Sequence, residues 1–204
     1  MSELEKKEIY ACALSLPNQD RPLCEDWVDE IARHVIANPK DKIYLIGHSL
    51  GATAILRYLE SPLAKKIAGT ILVSGPVKTT GNEIIENFLT KSFDFKKIKS
   101  KIGKALVIHG NNDPRVPLEH AKFLSEKLNC KLTIIKNGGH LNGSSGWHSL
   151  PQVLEGLLQM LSVKELESLK ETALLSKVPG LLKSLKKSQK EAKQGKTITL
   201  EELS

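Results

Sequence analysis

Lys42 to Glu60 reads KIYLIGHSLGATAILRYLE. Its first five residues are a short apolar run suited to a buried strand, and from Ala52 to Glu60 the apolar side chains recur at helical spacing. Between them stands Gly47-His48-Ser49-Leu50-Gly51, a G-x-S-x-G element in a strand-turn-helix setting. Such a nucleophile elbow is so tight that the serine backbone is strained, and Gly47 and Gly51 on either side leave room for the strand and the helix. The Ser49 hydroxyl is then exposed above the sheet. The positive end of the helix lies beneath a carbonyl attacked there, and the N–H of Leu50 is aimed at the developing oxyanion.

Outward from this stretch, strand and helix patterns alternate. Ile9–Leu16, Lys42–Ile46, Thr70–Val73, Lys104–Ile108 and Lys131–Ile135 are short apolar, β-branched runs and predict buried strands. Glu25–Ile36, Ala52–Glu60 and Leu118–Leu128 predict helices, Gly138–Gly146 a glycine- and serine-rich loop, and Leu150–Leu161 a closing helix. This order predicts an α/β fold, a mostly parallel sheet flanked by helices, over residues 1–161. Residues 162–204 change character and predict a helical C-terminal extension: Val163–Ser176, a break at Pro179-Gly180, the basic amphipathic stretch Leu181–Lys193, and a short tail after Gly195.

A serine hydroxyl is a weak nucleophile near neutrality and needs a base that is itself oriented by an acid. In this kind of fold the three occur in the order Ser, Asp or Glu, His. After KALVI comes His109-Gly110-Asn111-Asn112-Asp113-Pro114, and after KLTII comes Asn137-Gly138-Gly139-His140. Each segment is a loop at the carboxyl end of a strand, where ligand sites of open α/β sheets gather. Asp113 would hold the tautomer of His140, and His140 would take the Ser49 proton and return it to the leaving group. Asp113 before Pro114 also suits a plain turn, and His148 competes with His140, which immediately follows its strand. His48 and His109 adjoin the sheet and suit packing or pocket roles. No His, Cys and carboxylate grouping has metal-ligand spacing, and acyl transfer by such a triad needs no cofactor, so neither metal nor cofactor is expected.

Bulk properties bound the remaining classes. With 204 residues, 40% of them hydrophobic and 26% charged, the chain has ordinary globular usage. No apolar run approaches the roughly 20 residues that span a bilayer, and MSELEKKEIY is acidic where a signal peptide is basic and then apolar, so a cytoplasmic location is expected. Cys12, Cys24 and Cys130 are odd in number and lack CxxC spacing, which suits reduced thiols. The net charge of +7 comes with only 4% aromatic residues and no nucleic-acid-binding signature, so solvated lysines account for it and nucleic acid is not expected as a partner.

The stretches SLPNQDRPLCEDWVDEI, GHSLGATAILRYLE, ILVSGPV, HGNNDPRVP and NGGHLNGSSGW run in this order from about Ile9 to Leu161. Together they resemble the small serine hydrolases typified by retinoblastoma-binding protein nine and the bacterial YdeN-like proteins, within the α/β-hydrolase superfamily. The resemblance implies a compact hydrolase without a large lid, acting on a small ester or related acyl compound, with its triad at Ser49, Asp113 and His140. It also implies an additional first strand, a His-Gly-type loop that supplies a second oxyanion donor, and then a first helix. SELEKKEIYACALSLP resembles only the end of that helix and the next strand, so the first strand and the loop are expected to be missing. Loss of one oxyanion donor costs about 10²–10³ in turnover, which leaves as the alternative a catalytically weak hydrolase fold that binds a protein partner. VPGLLKSLKKSQKEAKQGKTITLEEL resembles the carboxyl ends of small RelB-like antitoxins, which implies a partner-wrapping tail. Packing of Leu181, Leu182 and Leu185 on the main domain or on a second copy competes with that reading.

Overall fold

Four strands carry the architecture of the computed structural model, which describes residues 11–38 and 42–161. β1 (Tyr44–His48), β2 (Gly69–Val73), β3 (Lys104–Gly110) and β4 (Lys131–Ile135) form a parallel sheet in the order β1-β2-β3-β4. A strand inside a parallel sheet is covered on both faces and therefore reads as an unbroken apolar run; β2, GTILV, is buried at all five positions. α1 (Cys24–Ala37) precedes the sheet, and α2 (Leu50–Glu60), α3 (Phe95–Lys101) and α4 (Leu118–Leu128) lie between successive strands. Because each strand pairs with the next, three right-handed crossovers bring α2, α3 and α4 to one face.

Alternation along the strands assigns the two faces. Leu72 and Val107 join the core built with α1 through α4, around Trp27, Ile31, Leu56 and Leu124. Ile71 and Leu106, one residue before them, point the other way and meet α5 (Pro151–Met160) at Gly156, where a β-carbon would stand 2.3 Å from Leu106 Cδ2. The core is thus two-sided, and the carboxyl ends of the strands stay free for loops.

Three expectations change. Ala11–Leu16, the described part of the run Ile9–Leu16, forms no strand. Ala11, Cys12 and Ala13 are exposed, whereas Leu14 and Leu16 lean half-buried on the core as an extended strap, and Trp27 Nε1–H fixes its end by donating to the Pro17 carbonyl at 2.7 Å. A short apolar run has the same pattern in a strap as in a strand, because only a neighbouring ladder distinguishes them. β1 is displaced two residues from Lys42–Ile46 and runs directly into the elbow. α3 was not foreseen: in FKKIKSK only Ile98 is buried, too little for a periodic signal, although Asp94 caps the helix by accepting the Lys97 N–H at 3.0 Å. The helical extension and antitoxin-like tail expected at 162–204 lie outside the described residues. Cys12, Cys24 and Cys130 are free, and burial pushes the Cys24 and Cys130 thiols up to about 11. Among the described residues no helix is long and apolar enough to cross a membrane.

The long connection from β2 to α3 is pinned by one buried cation. Arg57 on α2 is 7% exposed, donates through Nε to the Phe88 carbonyl at 2.7 Å and through Nη2 to the Lys91 carbonyl, and pairs with Glu60 at 2.5 Å. Its guanidinium also lies 3.7 Å from the centre of the Phe93 ring. Glu60 in turn accepts the Asp94 N–H at 2.7 Å. Phe88, fully buried, packs edge-on to Trp27 with ring centres 5.3 Å apart. Replacing one member of a buried pair leaves the other charge unpaired, which costs roughly 3–5 kcal/mol. Arg57→Met is therefore expected to lower unfolding stability by about 3 kcal/mol, read from the urea midpoint. A loss below about 0.5 kcal/mol, the range of an ordinary surface substitution, would show that solvent replaces the guanidinium.

Candidate active site

Ser49 stands alone between β1 and α2 with φ 54° and ψ −125°. This is a sparsely populated conformation for a residue with a side chain, and it persists only because its surroundings over-determine it. The Ser49 N–H donates to the Val73 carbonyl at 2.8 Å, tying the elbow to β2, and the Ala52 N–H donates to the Ser49 carbonyl at 3.0 Å. At Gly47 a β-carbon would lie 2.7 Å from Ala52 N and from the Gly51 carbonyl group, so no side chain fits there. Gly75, beyond β2, is under a similar constraint, since its β-carbon would meet Ala52 Cβ at 2.7 Å. Gly51 differs: space is open around its missing side chain, and its contribution is the backbone that passes under Gly47.

Two loops at the carboxyl ends of β3 and β4 come together beside Ser49. Three consecutive side chains on one loop grip the other: Asn111 Oδ1 accepts the Asn137 N–H at 2.7 Å, Asn112 Oδ1 accepts the Gly139 N–H at 2.8 Å, and Asp113 Oδ2 accepts from His140 Nδ1 at 2.8 Å. Such close approach needs bare backbone at Gly110, where a β-carbon would stand 2.1 Å from the Gly139 carbonyl oxygen. His140 sits between two left-handed residues, Gly139 at φ 56° and Leu141 at φ 52°. Leu141 is 2% exposed, so burial of its side chain offsets the strain of its backbone. The serine-rich turn behind it closes on Asn142, and Ser145 Oγ accepts the His140 N–H at 3.2 Å.

The result is a continuous line of hydrogen bonds. Ser49 Oγ–H donates to His140 Nε2 at 2.9 Å, and His140 Nδ1–H donates to Asp113. His140 is 3% exposed and the Asp113 side chain is fully buried. Burial alone would raise the Asp113 carboxyl. The His140 hydrogen bond and the amides of Val116 and Arg115, at 3.0 and 2.9 Å from Oδ1, outweigh it and hold the group below the usual carboxylate value. His48 turns its ring edge to His140, centres 4.9 Å apart, and its Nε2–H donates to the His140 carbonyl at 2.8 Å. Burial of the His48 ring is the main cause of its lowered pKa, and the nearby His140 and Arg115 charges add to it. His109 is fully buried and donates through Nε2 to the Val116 carbonyl at 2.9 Å, 3.6 Å from Asp113 Oδ2. His148 is exposed and takes no part in this line.

A cavity of about 410 Å³ opens beside Ser49. Leu50, Pro76, Ile85 and Val116 give it apolar walls, and Thr80, Asn82 and Arg115 supply the polar ones. The structure therefore brings Ser49, Leu50, Asp113 and His140 to one place, with Gly47, His48 and Gly51 shaping the turn beneath them. Among the described residues no cluster of His, Cys, Asp or Glu is arranged to hold a metal. Sequence reasoning missed Asn111, Asn112, Ser145 and Arg115. Two asparagines directly before an aspartate, at a strand end, were the available signal for the first two.

Known proteins are similar over most of the chain. The YdeN protein of Bacillus subtilis is 35% identical over 158 residues, 76% of this chain and 82% of its own length. The crystal structure of that ydeN gene product superposes with a TM-score of 0.71 at 33% identity, covering 77% of this chain and 85% of the other. Serine hydrolase RBBP9 of Rattus norvegicus is 28% identical over 120 residues, 58% of this chain and 62% of its own. A bromoperoxidase from Bacillus anthracis shares the fold alone, with a TM-score of 0.53 at 16% identity over 68% of this chain and 74% of the other. The profile of the serine hydrolase family matches residues 1–159, and the chain belongs to that family as a hydrolase of the α/β-hydrolase fold.

Proposed function

We propose that the protein hydrolyses a small ester or related acyl compound, with Ser49 as nucleophile, His140 as general base and acid, and Asp113 as the group that orients His140. The observation that carries this reading is the unbroken line from Ser49 Oγ through the His140 ring to Asp113 at 2.9 and 2.8 Å, at the mouth of a cavity. Ser49 Oγ attacks the acyl carbonyl while its proton passes to His140 Nε2. Asp113 accepts from Nδ1 throughout, so Nε2 is the free base before attack and the imidazolium is stabilised after it. Collapse of the tetrahedral intermediate expels the alcohol, which takes the proton from His140. Water then gives its proton to His140 and attacks the acyl-enzyme, releasing the acid and restoring Ser49. Leu50 is the first residue of α2, so its N–H has no intrahelical acceptor and is available to the oxyanion.

The first test is p-nitrophenyl butyrate hydrolysis by the protein beside Ser49→Ala. A fall in kcat of about 10³-fold or more is expected, and equal rates would refute the assignment of Ser49. A subtler expectation concerns the loop grip: Asn112→Ala frees the Gly139 N–H and should lower kcat roughly tenfold with little change in the unfolding midpoint. Unchanged kcat would show that the loop holds its place without it. Asp113→Asn tests the electrostatics. Because the Asp113 pKa is depressed by folding, the stability it contributes is present above the unfolded value of about 3.9 and is lost as pH falls through the folded value. The stability gap between wild type and Asp113→Asn, measured by urea unfolding, is thus expected to be widest at neutral pH and to narrow below about pH 4. A gap constant between pH 7 and pH 3 would contradict that coupling.

A further inference from the structure

Arg115 puts a full positive charge on the cavity wall beside Ser49, and the other wall residues, Ser49, Leu50, Pro76, Thr80, Asn82, Ile85 and Val116, include no carboxylate to balance it. The Arg115 side chain is exposed, and its guanidinium has no acidic partner among the described residues. A surface arginine of this kind commonly swings in solvent, but the backbone of this one is fixed. Its N–H donates to Asp113 Oδ1 at 2.9 Å, and the next residue, Val116, donates to the same oxygen at 3.0 Å. The carboxylate that orients His140 therefore also determines where the Arg115 side chain leaves the main chain.

We infer that the substrate carries a carboxylate, bound by Arg115, on a short acyl chain whose methylenes lie along Leu50, Ile85 and Val116. The inference rests on the hydrolase reading above and specifies its substrate class: a half-ester of a short dicarboxylic acid. A guanidinium presents paired N–H donors that match the two oxygens of a carboxylate. One cation balances a single negative charge, and the apolar part of the lining, Leu50, Pro76, Ile85 and Val116, suits a chain of a few methylenes. A volume of about 410 Å³ holds such an ester and lies within the usual range for small-molecule sites.

The test compares two esters that differ only in that charge: mono-p-nitrophenyl glutarate and its methyl ester, each rate corrected for the Ser49→Ala background. The wild type is expected to favour the charged half-ester in kcat/KM by about tenfold, with the preference shrinking as ionic strength rises. In Arg115→Ala the ratio of the two kcat/KM values should fall to about one, whatever happens to the absolute rates, and Arg115→Lys should restore part of it. Equal kcat/KM for both esters in the wild type, or a ratio that survives Arg115→Ala, would overturn the inference. If neither ester turns over, the hydrolase reading has failed on its own account, and glutarate binding by calorimetry decides the inference separately. A dissociation constant about tenfold weaker in Arg115→Ala than in wild type supports it, whereas equal or undetectable binding in both refutes it.

Discussion

Close packing of the Gly47 backbone against the first turn of α2 is the constraint on which the rest of the structure depends. With 2.7 Å between a would-be β-carbon and the backbone of Gly51 and Ala52, strand and helix meet with no room for a side chain. The chain must then reverse within one residue, and Ser49 absorbs the reversal at φ 54°. The strain is held by what surrounds it. Hydrogen bonds to β2 on one side and into α2 on the other fix the turn, and the unbroken run of buried residues from Ala52 to Leu59 anchors the helix in the core. The Ser49 hydroxyl is thereby mounted on a strand-helix junction packed into the core.

The parallel sheet supplies the second requirement, convergence. Parallel strands end on the same side, so the loops after β1, β3 and β4 are neighbours even though Ser49 and His140 are 91 residues apart in sequence. Convergence alone leaves errors of several ångströms, and side-chain acceptors remove them. Asn111, Asn112 and Asp113 take hydrogen bonds from three points of the opposite loop, so its path is set by main-chain donors before the imidazole itself is held. Gly110 and Gly138 let the backbones come close enough for this.

The cavity has a similar dependence on distant parts. Thr80, Asn82 and Ile85 lie on the connection between β2 and α3, a stretch with little regular structure, and the buried Arg57, through the carbonyls of Phe88 and Lys91, keeps that stretch against the body. Across the opening, Arg115 and Val116 belong to the turn closed by Asp113. One wall is therefore tied to the core by a buried ion pair, and the other to the same carboxylate that serves the His140 ring.

The sequence alone determined the features that are local in the chain. Strand and helix periodicity marks β1 to β4, α1, α2, α4 and α5, because each burial pattern repeats over neighbouring residues. The elbow and the order Ser49, Asp113, His140 are legible for the same reason, each residue standing in the turn or loop that follows its own strand. Tertiary structure alone decided what depends on a partner far along the chain. Ala11–Leu16 and a strand look alike until a ladder neighbour is present or missing, and α3 has one buried side chain, Ile98, whose burial needs the rest of the core. Asn111 and Asn112 act through backbone donors 26 and 27 residues away, and Arg115 faces a cavity whose other wall comes from before β3. A motif records which groups lie next to one another in the chain. Hydrogen bonds and cavities are set by distances across the fold, which the packing of strands and helices supplies.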